Sequence, residues 1–503
     1  KQTGGTGGDG LLRLSGTPVL ARLIRLVLRS GSSTAAARGR DARDSLGYAI
    51  RELSVGRLAP DGSLVDAVRH APDHSRQTVV YVSSTDPWHR AVDIDRDLEQ
   101  PGLDLVFRSG LTNGRAPMLA VPAFYDTPPN AFAEVAYLRR RGYPLDRIEI
   151  GEEPDGQYAS PDDYGAIYLQ VARAVKAADP AVRTGGPSWQ STASELMMAW
   201  REDPDSRPWL TRFLSYLHAH RASASLSFFS FEWYPFDDVC APTAPQLARS
   251  TLLLDSALAK LAVEGLPPAV PRIIAEYGYS AFAGDAEVDR AGALLDADVV
   301  ANFLSQGGAQ AYLYGWEPSP LDRNARCDGW GNNTMFLSDA HRRIRQPTAT
   351  YHATRLLTRE WLDPAGGPHR PYRATVTAGA GLVTAYAVRR PGGAWALLLI
   401  NRDPSRAWHV AVRFAPRGAG AGRFERAFLT QVSAADYVWH PNGARGYADP
   451  DHPPERRAIA PSEASRITLP PYSLTVLRWP GPRRSRARAS GGARALGAQR
   501  DPR

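Results

Sequence analysis

The sequence predicts an α/β protein with a separate all-β segment towards its C-terminus. Short apolar runs alternate with amphipathic helical patterns from about residue 75 to residue 360, whereas residues 371–480 contain alternating strand patterns broken by Gly and Pro. Strands that alternate with helices indicate a parallel sheet with short connecting loops. At 503 residues the chain is long enough for two or three domains.

Seven apolar runs are candidate strands of the parallel sheet. They cover residues 78–83, 117–123, 147–151, 182–186, 227–233, 272–276 and 309–316. Helical periodicity predicts helices over residues 130–141, 162–178, 207–220, 245–263, 289–305 and 349–359. The helix over 162–178 has the clearest start, because Ser160 is a candidate N-cap, Pro161 takes the first helical position and Asp163 completes a capping box.

The charge of the chain is concentrated at one end. The formal net charge is +8, and the residues from Arg483 to Arg503 include seven Arg and one Asp. A terminal basic run rich in Gly, Ala and Ser is typical of a disordered tail, so we expect no nucleic-acid binding by the folded body. No apolar run approaches the roughly 18 residues that a membrane span requires, so no membrane segment is expected. The histidines form no metal-binding pattern, and neither a metal nor a cofactor is predicted.

The chain has two cysteines, Cys240 and Cys327, which follow the predicted strands over 227–233 and 309–316. Loops after parallel strands lie at one edge of the sheet, so the two residues could form a disulfide. Two unpaired thiols are the alternative. A disulfide would suit a secreted or periplasmic protein, which is the location we expect.

Carboxylates follow two of the predicted strands. Glu152 and Glu153 end the strand over 147–151, and Glu276 ends the strand over 272–276. Two acids at the carboxyl ends of parallel strands could converge at the edge where barrel enzymes carry their catalytic residues. Paired carboxylates are the usual equipment for cleaving a glycosidic bond. The alternative is a set of solvated loop acids, which is common at strand ends.

These motifs resemble clan A of the glycoside hydrolases, and family 39 of that clan in particular. Glu153-Pro154 is similar to the second half of the clan's Asn-Glu-Pro motif, and Glu276 in Ala-Glu-Tyr-Gly matches its second acid. The resemblance implies a (β/α)8 TIM barrel and a retaining mechanism, with Glu153 as acid/base and Glu276 as nucleophile. Glu152 departs from the pattern, because the clan has Asn there. Seven strands rather than eight imply that the first barrel strand lies before residue 1.

The same resemblance implies further contacts with an oligo- or polysaccharide or another glycoside. Tyr234 occupies a position where the clan places an aromatic hydroxyl near the nucleophile, and Trp316 one where it stacks on the sugar. Glu232 departs from the family, which tends to have His. The remaining substrate-binding candidates lie on predicted loops after strands, and they are Glu152, Trp88, His89, Trp189, Tyr279 and Glu317.

The segments beside the barrel complete the predicted organisation. Residues 1–60 contain an arginine-rich strand and a second strand that resemble the closing hairpin of a discoidin-type (coagulation-factor type C) β-sandwich; a hairpin on the side of the barrel is the alternative. Residues 362–480 resemble the C-terminal β-sandwich of many clan A enzymes. We thus expect a discoidin-like end over 1–60, the barrel over 75–360, the β-sandwich over 362–480 and a basic tail over 481–503.

Two functions are compatible with this organisation. The first is a retaining glycoside hydrolase that cleaves an O-glycosidic bond, with β-linked substrates expected from the resemblance. The second is a catalytically silent protein whose barrel and β domains bind glycans. The presence of both Glu153 and Glu276 favours the enzyme.

Overall fold

A computed structural model gives the architecture of the chain. It describes residues 55–67, 103–124, 128–157, 159–190, 192, 207–315, 317–324, 327–379, 381–414, 426–464 and 466–480. The predicted strand over 78–83, the predicted tail over 481–503 and the discoidin-like segment up to residue 54 lie outside these residues. The first described element is an antiparallel hairpin of β1 (Gly56–Leu58) and β2 (Leu64–Asp66).

Six parallel strands form a curled sheet in which neighbours along the chain are also neighbours in space. They are β3 (Met118–Val121), β4 (Arg147–Ile150), β5 (Arg183–Trp189), β6 (Phe229–Trp233), β7 (Arg272–Tyr277) and β8 (Gln310–Leu313). All five residues of β6 are buried, as expected of a strand covered on both faces. Because the strands are parallel, their carboxyl ends meet at one edge of the sheet.

Helices cover this sheet. They are α1 (Leu103–Arg108), α2 (Pro128–Arg140), α3 (Pro161–Ala178), α4 (Trp209–Ala219), α5 (Thr243–Val263), α6 (Asp285–Val288), α7 (Arg290–Ser305) and α8 (Ala349–Leu356). The predicted cap of α3 is confirmed, since Ser160 Oγ accepts a hydrogen bond of 3.0 Å from the backbone N–H of Asp163. Among the described residues, no helix combines the length and apolar character that crossing a membrane requires.

The elements agree with most of the predicted boundaries to within a few residues, and two differences change where residues are placed. The strand predicted over 182–186 continues to Trp189, so that residue lies in the sheet rather than in a loop. The helix predicted over 349–359 ends at Leu356 and continues as a π-helical turn, Leu357–Trp361. The described parallel sheet ends at β3 and β8, so a closed eight-stranded barrel and a strand before residue 1 remain predictions.

The C-terminal region is antiparallel. Its main sheet has the order β13 (Arg370–Tyr372), β14 (Val383–Arg389), β15 (Trp395–Asn401), β22 (Ser473–Trp479), β17 (Ala427–Val432) and β20 (Arg456–Ile459). Four short pairs accompany the two large sheets: β9 (Asp322–Arg323) with β10 (Trp330–Gly331), β11 (Phe336–Ser338) with β12 (Ile344–Pro347), β16 (Trp408–Val410) with β21 (Ile467–Leu469), and β18 (Tyr437–His440) with β19 (Tyr447–Asp451). A short helix, α9 (Pro461–Ala464), precedes β21.

A buried ion pair joins the antiparallel sheet to the helical layer. Arg402, just after β15, donates from Nη1 to Asp298 Oδ2 of α7 at 3.2 Å, and both side chains are almost fully buried. The other hydrogen-bond donors to the Asp298 carboxylate are hydroxyl groups from both layers, on Ser250, Thr251, Thr384 and Tyr386. A buried charge with this number of partners fixes the position of α7 against the sheet.

We expect Arg402→Leu to lower the free energy of unfolding by about 3–5 kcal/mol, because it leaves the Asp298 carboxylate buried without its cation. Urea-induced unfolding measures the change. The matched control is Arg457→Leu, which breaks the exposed ion pair with Glu463 and should change the free energy of unfolding by less than about 1 kcal/mol. Equal effects of the two substitutions would contradict the importance of the buried pair.

A disulfide links two loops at the carboxyl edge of the parallel sheet. Cys240 and Cys327 are bonded, with their Cα atoms 5.9 Å apart and a separation of 87 in residue number. The sequence left a disulfide and two unpaired thiols as alternatives, and the structure has the disulfide. The bond ties the loop after β6 to the segment that follows β8, on either side of β7.

Candidate active site

Three glutamates from three strands define the candidate site. Glu153 lies three residues beyond the end of β4, Glu232 lies within β6, and Glu276 lies within β7. The register of β6 and β7 places Glu232 directly beside Glu276. The carboxyl ends of the strands thus bring together the two predicted catalytic acids and a third carboxyl group.

The backbone that carries Glu153 adopts a conformation that a non-glycine residue rarely takes. Glu153 has a φ of 42°, and Ser188 on β5 has a φ of 53°. The two residues are joined, because the backbone N–H of Glu153 donates to the carbonyl of Ser188 at 3.1 Å. Strained backbone of this kind persists where the surrounding structure holds it, and it is common at functional sites.

Side-chain hydrogen bonds hold each of the three glutamates. Gln190 Nε2 donates to Glu153 Oε1 at 2.6 Å, and Ser188 Oγ donates to Glu232 Oε1 at 3.1 Å. Tyr234, which was predicted to lie near Glu276, donates a hydrogen bond from its hydroxyl to Glu276 Oε2 at 2.8 Å.

Burial governs the ionisation of the cluster. Desolvation raises the pKa of Glu276 above its ordinary value; the Tyr234 hydrogen bond opposes this shift, and the charges of Glu152 and Glu153 add to it. Glu232 is only 3% exposed, and burial, followed by the charges of Glu276 and Glu153, raises its pKa strongly. Carboxylates that are buried close together repel one another, and they are stabilised when one keeps its proton or pairs with a cation.

Glu152 was predicted to contact the substrate, whereas the third carboxyl group buried beside Glu276 belongs to Glu232. The Glu152 side chain lies towards solvent; partial desolvation, and then the neighbouring charge of Glu153, raise its pKa. Among the described residues, neither Lys nor Arg forms an ion pair with Glu152, Glu153, Glu232 or Glu276.

Three of the predicted substrate-binding residues make contacts with other parts of the protein. Trp189 is 2% exposed and packs against Phe229 in the core, which corrects its predicted position on a loop. Tyr279 is fully buried, and its hydroxyl donates to Gln246 Oε1 at 2.6 Å, so its ring has no free face for a sugar. Glu317 is half-exposed and pairs with Arg342 at 3.4 Å. Trp316, Trp88 and His89 lie outside the described residues.

Sequence reasoning missed four residues of the site. Ser188 and Gln190 follow a cis Gly-Pro bond, in a stretch whose Pro reads as the end of a strand. Glu149, on β4, was not among the candidates, yet its side chain is buried, and the charge of Glu276 contributes to the raised pKa of this carboxyl group. Tyr314, just after β8, is 48% exposed and lies edge-on to Tyr234 at 6.1 Å between ring centroids.

A small cavity of about 10 Å³ adjoins the site. Its wall includes Tyr234 and Tyr314, together with Glu287 and Asp296. No cluster of three or more His, Cys, Asp or Glu side chains within the described part of the chain is arranged to hold a metal ion.

Comparison with solved structures found proteins whose fold is similar to that of this chain. No family model matches the sequence, and no curated protein sequence matches it. A family 51 α-L-arabinofuranosidase from Bifidobacterium longum is similar in structure, with a TM-score of 0.51 at 14% identity, over 75% of this chain and 79% of that one. The family 51 arabinofuranosidase from Xanthomonas axonopodis pv. citri has a TM-score of 0.50 at 15% identity, over 75% and 78% of the two chains.

The fold is shared with glycoside hydrolases. At these identities the similarity concerns the fold alone, and the more specific likeness to family 39 remains a prediction from the sequence motifs. The N-terminal discoidin-like segment and the detailed arrangement of a C-terminal sandwich remain predictions as well.

The buried Glu149 gives the site a testable effect on stability. Burial raises the pKa of Glu149 from 4.5 to about 7, so protonation favours the folded state. Its contribution to stability is complete below about pH 4.5 and is lost as the pH rises through 7. We expect Glu149→Gln to be more stable than the wild type at pH 8, by up to about 3 kcal/mol, and to match it near pH 4.5.

Urea unfolding of both proteins across this pH range measures the difference. Glu152→Gln is the control, because it removes a neighbouring carboxyl group that lies towards solvent and should change stability much less. A difference between wild type and Glu149→Gln that does not vary with pH would contradict the assignment.

Proposed function

We propose that the protein is a retaining glycoside hydrolase that cleaves an O-glycosidic bond by double displacement, with Glu276 as nucleophile and Glu153 as acid/base. The observation that carries this proposal is the convergence of Glu153 and Glu276 at the carboxyl ends of β4 and β7, within a fold shared with glycoside hydrolases. A retaining reaction needs two carboxyl groups roughly 5–5.5 Å apart, so that one can attack the anomeric carbon directly.

The first step forms a glycosyl-enzyme. A Glu276 oxygen attacks the anomeric carbon while Glu153 gives its proton to the leaving-group oxygen, and the glycosidic bond breaks. The Tyr234 hydroxyl supports this step, because its hydrogen bond orients the Glu276 carboxylate and stabilises its ionised form. In the second step Glu153 takes a proton from water, whose oxygen attacks the anomeric carbon and releases Glu276.

The substrate is proposed to be an oligo- or polysaccharide or a smaller glycoside, with a β-linkage favoured by the family resemblance. Tyr314 offers an exposed aromatic ring at the mouth of the site, and such rings stack on the apolar faces of sugars. The Cys240–Cys327 disulfide supports a secreted or periplasmic location for the enzyme.

We expect Glu276→Gln to abolish the hydrolysis of aryl glycosides while leaving the melting curve nearly unchanged, because the substitution removes the nucleophile and keeps the shape of the side chain. A panel of aryl α- and β-glycosides identifies the sugar and the anomer. The control is Glu463→Gln, which changes an exposed acid of α9 in the C-terminal region. Turnover retained by Glu276→Gln would end the nucleophile assignment.

A second variant distinguishes a nucleophile from a residue that is needed only for binding. Azide should restore turnover of an activated aryl glycoside by Glu276→Ala, since the small anion can attack the anomeric carbon from the vacated side. The product is expected to be a glycosyl azide of inverted configuration. Rescue by a matched concentration of chloride would point to an ionic-strength effect instead. A folded wild-type protein that is silent on the panel and on polysaccharides would favour glycan binding without catalysis.

We expect Tyr234→Phe to shift the acidic limb of kcat/KM to higher pH. The lost hydrogen bond favours ionised Glu276, so its removal raises the pKa of this carboxyl group and delays formation of the nucleophile as the pH rises. A hydrogen bond to a charged group contributes about 1.5–3 kcal/mol, equivalent to a shift of roughly 1–2 pH units. A pH–rate profile measures the shift, and an acidic limb that stays in place would remove Tyr234 from this role.

A further inference from the structure

Three hydrogen bonds join the loop that carries Glu153 to the end of β5. The backbone N–H of Glu153 donates to the carbonyl of Ser188 at 3.1 Å. The backbone N–H of Gln190, directly after β5, donates to Oδ1 of the buried Asp155 at 3.2 Å. In the third, the side-chain amide of Gln190 donates from Nε2 to Glu153 Oε1 at 2.6 Å. The first two bonds hold the loop and the strand end together, and the third acts directly on the proposed acid/base.

The amide of Gln190 lies where it does because residue 156 has no side chain. A Cβ atom at position 156 would lie 2.4 Å from Gln190 Oε1 and 3.0 Å from Gln190 Cδ. Non-bonded atoms normally lie about 3.5–4.0 Å apart, so any larger residue at this position would push the amide away from its present place. Gly156 does not have a positive φ, so the space that the amide fills is what favours glycine here.

A neutral amide is suited to a carboxyl group that changes its charge during a reaction. The proposed mechanism needs Glu153 protonated in its first step and ionised in its second. An amide N–H can donate in both states, because a carboxyl group keeps an acceptor oxygen when its other oxygen carries the proton. A Lys or Arg in place of Gln190 would favour only the ionised form. The amide can therefore hold the side chain of Glu153 still throughout the reaction.

We propose that Gln190 is a positioning residue for the acid/base, and that Gly156 provides the space that its amide needs. Because the amide engages Glu153 Oε1, the transferable proton lies on Oε2. It passes from Oε2 to the leaving-group oxygen as the glycosidic bond breaks, and Oε2 takes a proton from water in the second step. This inference rests on the proposed function and adds to it a residue outside the two acids.

The first test is the leaving-group dependence of kcat/KM in Gln190→Met, which keeps the length of the side chain and removes the donor. A poor leaving group such as an unsubstituted phenol needs its proton from Glu153, and a misplaced acid should lower kcat/KM by about 10–100-fold. A 2,4-dinitrophenyl leaving group departs without protonation, so its kcat/KM should stay within about threefold of wild type. Equal losses for the two substrates would contradict the positioning role.

Gly156→Ala tests the same contact while every functional group stays in the chain. The added methyl group should displace the amide, which lies at the end of a flexible side chain, and the loss should again be confined to the poor leaving group. The matched control is Gly392→Ala, in the turn between β14 and β15, where a Cβ would have no other atom within 4 Å. This control should match the wild type with both substrates.

A double-mutant cycle connects the two positions. Gln190→Ala has no amide to displace, so adding Gly156→Ala to it should cause little further loss, whereas Gly156→Ala alone should be impaired. Losses that multiply would indicate that Gly156 acts by another route and would overturn its part of the proposal. Gln190→Ala also provides a second removal of the donor if Gln190→Met does not fold, and thermal melting checks the folding of each variant.

A readout independent of catalysis separates this inference from the proposed function. In protein labelled with ¹⁵N-glutamine, the side-chain amide signals that are missing from Gln190→Met belong to Gln190. Glu153→Ala and Gly156→Ala should shift these signals, and Gly392→Ala should not. If the shifts occur and no glycoside is hydrolysed, the contact stands and the proposed function fails. If glycosides are hydrolysed and Gln190→Met loses no activity on the poor leaving group, the positioning role is overturned and the glycosidase remains.

Discussion

The mutual repulsion of buried carboxyl groups is the constraint around which the site is organised. Glu149, Glu153, Glu232 and Glu276 lie at the carboxyl edge of one sheet, where burial makes each unpaired charge unfavourable. Neutral hydrogen-bond donors stabilise Glu153, Glu232 and Glu276, through Gln190, Ser188 and Tyr234 respectively. A site held by such donors keeps its geometry while its charges move, which is what an acid/base reaction requires.

The position of these donors depends on the backbone at the end of two neighbouring strands. Glu153 and Ser188 both have positive φ, and one hydrogen bond joins them. Regular strand geometry would direct the Glu153 side chain differently, because successive residues of a strand alternate between its faces. The local strain is supported by a well-packed core, in which Tyr164 donates to the Ile150 carbonyl at 2.6 Å directly before this turn.

Much of the fold could be predicted from the sequence because its signals are local. Apolar runs mark the strands from β3 to β8, and the Ser160 cap depends only on residues that are neighbours in the chain. The two acids at the ends of β4 and β7 were found in the same way. Their convergence could be inferred because parallel strands share one carboxyl edge.

The rest of the site depends on contacts that the sequence does not encode locally. Trp189 reads as a loop residue after Pro187, yet β5 continues through this stretch and buries the indole. Tyr279 follows β7, as a predicted sugar-binding residue, but its hydroxyl donates to Gln246 of α5 in the interior. Only the register of β6 against β7 reveals that Glu232 lies beside Glu276 rather than at the rim.

The disulfide makes the strand of Glu276 part of a covalent ring. Cys240 and Cys327 are 87 apart in sequence number, and the segment that they enclose contains β7, α7 and β8. Closing a loop of this size in the unfolded chain stabilises the folded state by about 4–5 kcal/mol in the chain-entropy description. That is comparable with the whole stability of many domains. The redox state of the compartment in which the chain is made is therefore a determinant of how much of it reaches the native fold.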